Sequence, residues 1–458
     1  MTAPTLPTAA RSRAARLRAR LADRLTAPTD PVVLGVFRVG FGLVMAASLA
    51  RFLLLGWAGP LYAEPAFHFT YPGFGWVRPF PLWALNGVLV LAGVAALGFA
   101  WGRSAKVWLA VFVAAFTYVE LIEAATYLNH YYFVTVVGLL MLVLPMGAAL
   151  VPGRAARASV PAWTVWALRL QIGCVYFFAG VAKLHPDWLL DAMPLRIWLA
   201  ARGGLPVIGP LLDLAWMPWA FAWAGALFDL SIAFFLLARR TRPWAYAAAV
   251  VFHAATYVLF NIGVFPFVMM VAALVFFEGD EWRALGRRLQ RWLPRTGERP
   301  ARPAVRTRRW VAALVGMWLA LQVLLPLRHG LYPGDRFWTE EGFRFAWHVM
   351  VASKTGTAAF HVRDPATDRR WTLAPSDDLT ALQEKEMASQ PDFLWQYAQH
   401  VERRFRAAGY ADVEVRAETY VSLNGRPGRP LVDPEADLTR APRSVLRPKP
   451  WILRDPAP

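Results

Sequence analysis

"LQIGCVYFFAGVAKLHPDW" (residues 170–188) is an apolar run that stops at a lysine, a histidine and an aspartate. The run extends back to about residue 163, and roughly 20 consecutive apolar residues suffice to cross the hydrocarbon core of a bilayer as a helix. Its polar end admits two readings of Lys183. A lysine at the end of a spanning helix lays its alkyl stem along apolar surface and holds its ammonium at the interface, as an anchor. An ionisable group kept inside the apolar zone is instead a candidate for function.

The pattern recurs along the chain. Of 458 residues, 57% are hydrophobic, with 22 Trp and 29 Phe. Nine apolar segments read as spans: 32–55, 82–101, 105–124, 130–149, 163–182, 216–238, 243–261, 264–278 and 309–327. The expected fold is a polytopic α-helical membrane protein of about eight to nine transmembrane helices. A small C-terminal mixed α/β or β-rich domain follows outside the membrane. There "FHVRD", "RRWTL" and "VEVRAETYVSLNG" read as strands, and residues 378–408 as a helix of alternating charge. The expected organisation is a basic N-terminal tail (1–30), a transmembrane domain (31–327) and a C-terminal domain (328–458). A basic, proline-containing linker occupies 294–308. No cleavable signal peptide is expected, because the first apolar run is long enough to span.

Charge sets the orientation. The net charge is +18, yet residues 328–458 hold 19 Lys and Arg against 18 Asp and Glu. The first 327 residues carry the remaining 30 basic and 13 acidic side chains. That excess sits in alternate loops: the N-terminal tail with six arginines, "WGRSAK" (101–106), "GRAAR" (153–157), "RRTR" (239–242) and the loop before residue 309. Such alternation follows the positive-inside rule, so the charge is topological and nucleic acid is not the expected partner. The expected partner is the lipid bilayer, with the N-terminus cytoplasmic and the C-terminal domain outside. Ala- and Arg-rich composition points to a bacterial cytoplasmic (inner) membrane. The single cysteine, Cys174, precludes an internal disulfide and a cysteine-based metal cluster, and no metal is expected.

The candidates singled out among the ionisable and polar groups in or at the ends of the spans are Arg38, Arg51, Glu120, Glu123, Asn129, His130, Lys183, His185, Asp229, His253, Tyr257 and Asn261. His253, Tyr257 and Asn261 recur at four-residue spacing and share a helix face; Tyr176 and Lys183, seven apart, also share one. Glu120, Glu123 and Tyr127 are read the same way. Most of these lie near outer helix ends, so a single polar pocket opening outward is expected to collect them. Arg38 and Asp229 read as structural intramembrane charges, paired between helices. His130 and His253 facing one another are compatible with haem ligation. P-loop, dinucleotide-binding, nucleophile-elbow and zinc-helix signatures are absent.

Several blocks resemble a known family in its order. They are "APTDPVVLGVFRVGFGLVM" (27–45), "YLNHYYFVTVVGLLMLVLP" (127–145), residues 170–188, "FDLSIAFFLL" (228–237), "FHAATYVLFNIGVFPFVMM" (252–270) and "FWTEEGFRFAWHVMV" (337–351). "YVSLNGRPGRPLVDPEADL" (420–438) and "KPWIL" (449–453) extend the series. Together they resemble vitamin K-dependent γ-glutamyl carboxylase, whose bacterial members carry the horizontally transferred transmembrane (HTTM) domain. The resemblance implies oxidation of vitamin K hydroquinone by O2 to the epoxide, coupled to removal of a glutamate γ-proton and addition of CO2. It places the family's base on Lys183 and its Asn-His pair on Asn129 and His130, with His253, Tyr257 and Asn261 along the quinol cavity. The glutamate-binding segment falls on Trp338, Phe343 and Trp347, with a glutamate-containing protein or peptide as the implied substrate.

One departure bears on the second half-reaction. Phe343 and Phe345 stand where the animal enzymes carry tyrosines, and the outer domain is shorter. Quinol epoxidation without carboxylation, an unrelated quinone-linked reaction, and a non-enzymatic transporter or scaffold therefore stay open.

Overall fold

All nine apolar segments form helices in the computed structural model, which describes residues 8–260, 262–289, 300–306, 308–444 and 446–454. Helix α1 (Thr8–Thr26) leads through the short strand β1 (Pro28–Thr29) into α2 (Val32–Leu54), α3 (Leu82–Trp101), α4 (Ala105–Ile122) and α5 (Asn129–Val143). Strand β2 (Val160–Pro161) pairs antiparallel with β1 and opens α6 (Ala162–Ala182). Three short helices, α7 (Pro186–Leu189), α8 (Leu195–Ala200) and α9 (Gly209–Leu212), fill the next connection. Then come α10 (Met217–Leu237), α11 (Arg242–Leu259), α12 (Phe265–Ala273), α13 (Gly279–Leu289) and α14 (Arg309–Leu327).

Six of these, α2, α3, α4, α6, α10 and α14, are long and apolar enough to cross a membrane. The chain is thus a multi-pass membrane protein. Helices α5 and α12 are shorter than the sequence pattern suggests. The 15 residues of α5 rise only about 22 Å, against a hydrocarbon core of about 30 Å. The apolar run continues to 149, but Pro145 has no N–H to donate and disfavours helical geometry in the residue before it, so the helix stops at Val143. Helix α12 continues as a 3-10 turn to Phe276.

Successive helix ends alternate between two faces of the bundle. On one face the β1–β2 pair joins the starts of α2 and α6, and Asp30 pairs with Arg283 of α13. Arg239 and Arg242, before and at the start of α11, pair with Asp280 and Glu281 on that same face. The opposite face meets the C-terminal domain. Contact between helices relies on small residues, which let backbones approach closely. A Cβ at Gly42 of α2 would lie 2.5 Å from the Ala96 carbonyl oxygen of α3, and one at Gly180 of α6 would lie 2.7 Å from Leu230 of α10.

Beyond α14 a four-residue helix, α15 (Arg336–Thr339), precedes a three-stranded antiparallel sheet in the order β4 (Arg370–Leu373), β3 (Lys354–Arg363), β5 (Glu414–Leu423). Strand β5 buries alternate residues Val415, Ala417, Thr419, Val421 and Leu423, the period-two pattern of a sheet with one covered face. Helices α16 (Ala381–Ser389) and α17 (Pro391–Ala407) supply that cover through Met387, Phe393, Tyr397 and Val401. The expected single helix over 378–408 is two, because Pro391 starts a new helix at its first position. The domain is clasped to the bundle by Glu123, whose carboxylate accepts from Gln383 Nε2 at 2.7 Å, from Ala125 N and from Phe69 N.

Candidate functional site

Lys183 is the last residue of its helix in the helical conformation, the C-cap of α6. An anchoring lysine would extend toward the aqueous end; this one folds back. Its Nζ donates to the Ala179 carbonyl one turn earlier (3.2 Å) and to Asp229 Oδ2 of α10 (2.7 Å). Helix side chains lean toward the N-terminus, and here that direction leads into the bundle. Both partners are buried, and the Trp188 indole stands over the ammonium at 5.3 Å. The close approach of α6 and α10 at Gly180 makes the pair possible.

The anticipated pairing of Asp229 with Arg38 does not form. Asp229 is held by Lys183. Arg38 lies at the other end of the bundle, where Nη2 donates to the Leu150 carbonyl at 2.6 Å and the guanidinium occupies the space a Cβ at Gly102 would need.

The Lys183–Asp229 pair forms one wall of a mainly apolar cavity of about 320 Å³ between α6, α10, α11 and α12. Tyr176 lies two turns before Lys183, and its hydroxyl is 2.9 Å from His253 Nε2. Phe221, Phe252, Phe260 and Met269 line much of the remainder. Cavities of a few hundred Å³ with few polar groups are typical of small-molecule sites.

The single outward pocket expected from the helix ends is in fact two. A second, more polar cavity of about 930 Å³ holds Asn129, His130 and Tyr257, together with Phe343, Glu340, Arg344 and Lys354 of the C-terminal domain. Ile262, Phe265, Val349 and Met350 line both cavities and so form the wall between them. Asn129 accepts from the Tyr127 hydroxyl (3.1 Å) and donates to the His348 carbonyl (3.0 Å). Tyr257 is half exposed and touches only the second cavity. Asn261 lies outside the described residues.

Glu120 and Glu123 do not share a face with Tyr127, because α4 ends at Ile122 and the chain turns. Glu120 instead accepts from the Thr135 hydroxyl of α5. The Phe265 ring packs against both His130 and His253, with centroids 5.7 and 6.3 Å away, so no haem site forms between the imidazoles. Among the described residues no cluster of three or more His, Cys, Asp or Glu side chains has metal-binding geometry.

Residues 337–351 divide by role. Trp338 and Trp347 are buried: the Trp338 indole donates to the Leu453 carbonyl at 2.6 Å, and Trp347 packs on Tyr132 and Phe133. Neither tryptophan lines the second cavity, whereas Phe343 and Arg344 do. Glu340, Phe345, Trp347 and Met350 have φ between 50° and 62°, a left-handed conformation costly for residues with a Cβ. The Phe345 N–H donates to the Tyr127 hydroxyl at 2.9 Å, one of the bonds that hold this backbone in place. Sequence reasoning missed Glu340, Arg344 and Lys354. Lys354 Nζ is 3.5 Å from Glu340. Burial raises the Glu340 carboxyl, with Lys354 and Arg344 pulling it back, and burial lowers the Lys354 amine against the opposing pull of Glu340.

A bundle of membrane-spanning helices with a buried amine–carboxylate pair on an apolar cavity, capped by a strand domain, defines the class: a multi-pass membrane protein with a small C-terminal domain. Its HTTM domain match covers residues 26–282, and residues 307–457 match the vitamin K-dependent gamma-carboxylase, lumenal domain. The chain belongs to the HTTM-containing vitamin K-dependent gamma-carboxylase family. No solved structure matches it.

Proposed function

We propose that the protein is a vitamin K-dependent γ-glutamyl carboxylase-like enzyme of a bacterial inner membrane, with Lys183 as the proton acceptor for a vitamin K-type hydroquinone. The observation that carries this reading is the inward-folded Lys183 paired with Asp229 on an apolar wall. When bound, the hydroquinone supplies reducing electrons to O2, giving the epoxide and the driving force to remove a glutamate γ-proton before CO2 adds.

The chain's own contribution is proton handling and exclusion of water. In its neutral state the Lys183–Asp229 pair holds one proton, which can pass along the 2.7 Å contact from the ammonium to the Asp229 carboxylate and free the amine. When that amine accepts a second proton from the hydroquinone, the pair becomes positively charged, beside the conjugate base it has made. In a low-dielectric cavity that attraction is far stronger than in water. Tyr176 and His253 offer a hydrogen-bonding pair on the same cavity. The apolar walls orient a fused ring and keep bulk water from the amine. Asn129 and His130, in the second cavity, stand across the Phe265 wall, where they position a group that reaches beyond it.

Turnover of reduced vitamin K with O2 and labelled CO2, with and without a glutamate peptide, tests the reading. Wild type is expected to consume quinol. Lys183→Ala is expected to lose at least about a hundredfold, the scale of general-base catalysis, and, with Asp229 left buried and unpaired, to unfold at a lower temperature than wild type while staying folded at the assay temperature. No O2-dependent quinol consumption by the pure wild-type protein overturns the proposal.

One observation favours a second reading, quinol oxidation without carboxylation. Phe343 brings no hydroxyl to the second cavity, and Trp338 and Trp347 are withdrawn from it. Label fixed into the peptide selects the first reading; epoxide formed without label selects the second.

A further inference from the structure

A third cavity, of about 700 Å³, lies at the end of the bundle remote from the strand domain. Helices α4, α6 and α14 all begin there: Ala105 and Lys106, Trp163 and Thr164, and Arg308, Trp310 and Val311 are in its wall. Their far ends meet the C-terminal domain, at the Glu123–Gln383 clasp, at the Ala182 carbonyl facing Arg336, and at the chain link into residues 328–339. A helix N-terminus carries partial positive charge and free N–H groups. Three such ends, on helices of 18, 21 and 19 residues, point at one space.

Side-chain charge adds to this field. Lys106, Arg154, Arg157, Arg302, Arg306 and Arg308 line the cavity, and none of its described lining residues is Asp or Glu. The positive-inside rule accounts for cations in these loops. It does not account for their convergence on one cavity from three separate stretches of chain. Arg157 and Arg302 are fixed: Arg157 donates to the Pro303 carbonyl (3.2 Å) and Arg302 to the Ala155 carbonyl (3.0 Å). Burial first, then the charges of Arg154 and Arg157, hold the Arg302 guanidinium below its ordinary value. The wall also includes Trp163, whose indole N–H is buried without a hydrogen-bond partner.

We infer that this cavity binds the phosphate headgroup of an anionic membrane lipid. Phosphate is the chemistry that answers converging helix N-termini and clustered arginines. A lipid source follows from position. The cavity lies at the ends of membrane helices, and the exposed apolar side chains Val107 and Trp310 flank it, as acyl chains and an interfacial indole require. Basic pockets between transmembrane helices on the positively charged side bind such headgroups. The bound lipid ties the starts of α4, α6 and α14 together and screens their mutual repulsion.

The test uses the full chain in lipid nanodiscs of phosphatidylcholine alone or with added phosphatidylglycerol or cardiolipin. Retained lipid is read by native mass spectrometry and stability by thermal unfolding. Wild type is expected to retain anionic lipid and to unfold at higher temperature when it is present. The triple variant Lys106→Gln/Arg154→Gln/Arg306→Gln leaves the loop-fixing Arg157 and Arg302 intact. At about a factor of five per cation, its affinity is expected to fall roughly a hundredfold, with its unfolding temperature in phosphatidylcholine unchanged. Arg306→Gln alone, expected to lose about fivefold, keeps the test decisive if the triple variant fails to fold. Equal retention of zwitterionic and anionic lipid overturns the inference. So does inorganic phosphate giving the full thermal shift in phosphatidylcholine discs, since the site then takes a soluble anion.

Discussion

A buried ammonium with one carboxylate partner behaves differently from either charge alone. Lys183 and Asp229 are both withdrawn from water, so each depends on the other for compensation. Asp229→Ala leaves Lys183 facing an apolar cavity with only a carbonyl and an indole for company. Breaking one side of such a pair costs about 3–5 kcal/mol. Replacing both sides with apolar groups of similar volume is close to neutral. Thermal unfolding of Asp229→Ala, Lys183→Met and the double variant Lys183→Met/Asp229→Leu is therefore expected to show the double variant as stable as wild type. All three are expected to be inactive with quinol. The two readouts part company in the double variant, which separates a catalytic pair from a structural one. A double variant that unfolds as early as Asp229→Ala would show that the pair is retained for stability.

The segment from Arg336 to Val351 is the element on which the bundle and the strand domain both close. His348 sits in it, with Nδ1 3.0 Å from the Phe343 carbonyl and its ring against Phe337 and Phe343. Burial, reinforced by the Arg336 and His329 charges, pushes the imidazole down to about 3. The unfolded chain takes up that proton near pH 6.5. His348 therefore contributes stability that is full above about pH 6.5 and is lost as pH falls toward 3, at up to about 1.4 kcal/mol per pH unit. Thermal unfolding of wild type and His348→Gln between pH 7 and pH 4 is expected to show a shallower acid decline in the variant; parallel curves would remove His348 from the account. Element by element, the helices were legible because apolar runs and their Pro and Gly stops act locally. The strands of the outer domain were legible from period-two alternation. What faces what was not. Arg38 and Asp229 matched as charges, yet nothing in their spacing records that Gly180 brings α6 within reach of α10, which gives Asp229 to Lys183. Nor does spacing reveal that Phe265 divides one expected pocket into two, or that residues 337–351 turn their tryptophans inward.

Across the whole molecule, charge and architecture make the same division. One face gathers the basic connections, the β1–β2 pair and the Arg239–Asp280 and Arg283–Asp30 bridges. The other carries the Lys183 cavity and the strand domain, whose sequence from residue 328 is nearly neutral. On the positive-inside rule we propose that the first face is cytoplasmic, an orientation that would leave the proposed carboxylation site open to exported proteins. Cysteine labelling tests this directly, because Cys174 is the sole cysteine and can be replaced by alanine. Arg240, between α10 and α11, and Asp368, in the turn between β3 and β4, are both exposed. In the Cys174→Ala background a membrane-impermeant maleimide added to intact spheroplasts is expected to label Asp368→Cys and to spare Arg240→Cys. Inverted vesicles are expected to reverse the pattern. Labelling of both positions from one side would contradict the alternation of helix ends. A clean exchange of the two patterns would keep the bundle but turn it over. Quinol oxidation at Lys183 would then draw its protein substrates from the cytoplasm, and the cationic cavity would face the outer leaflet.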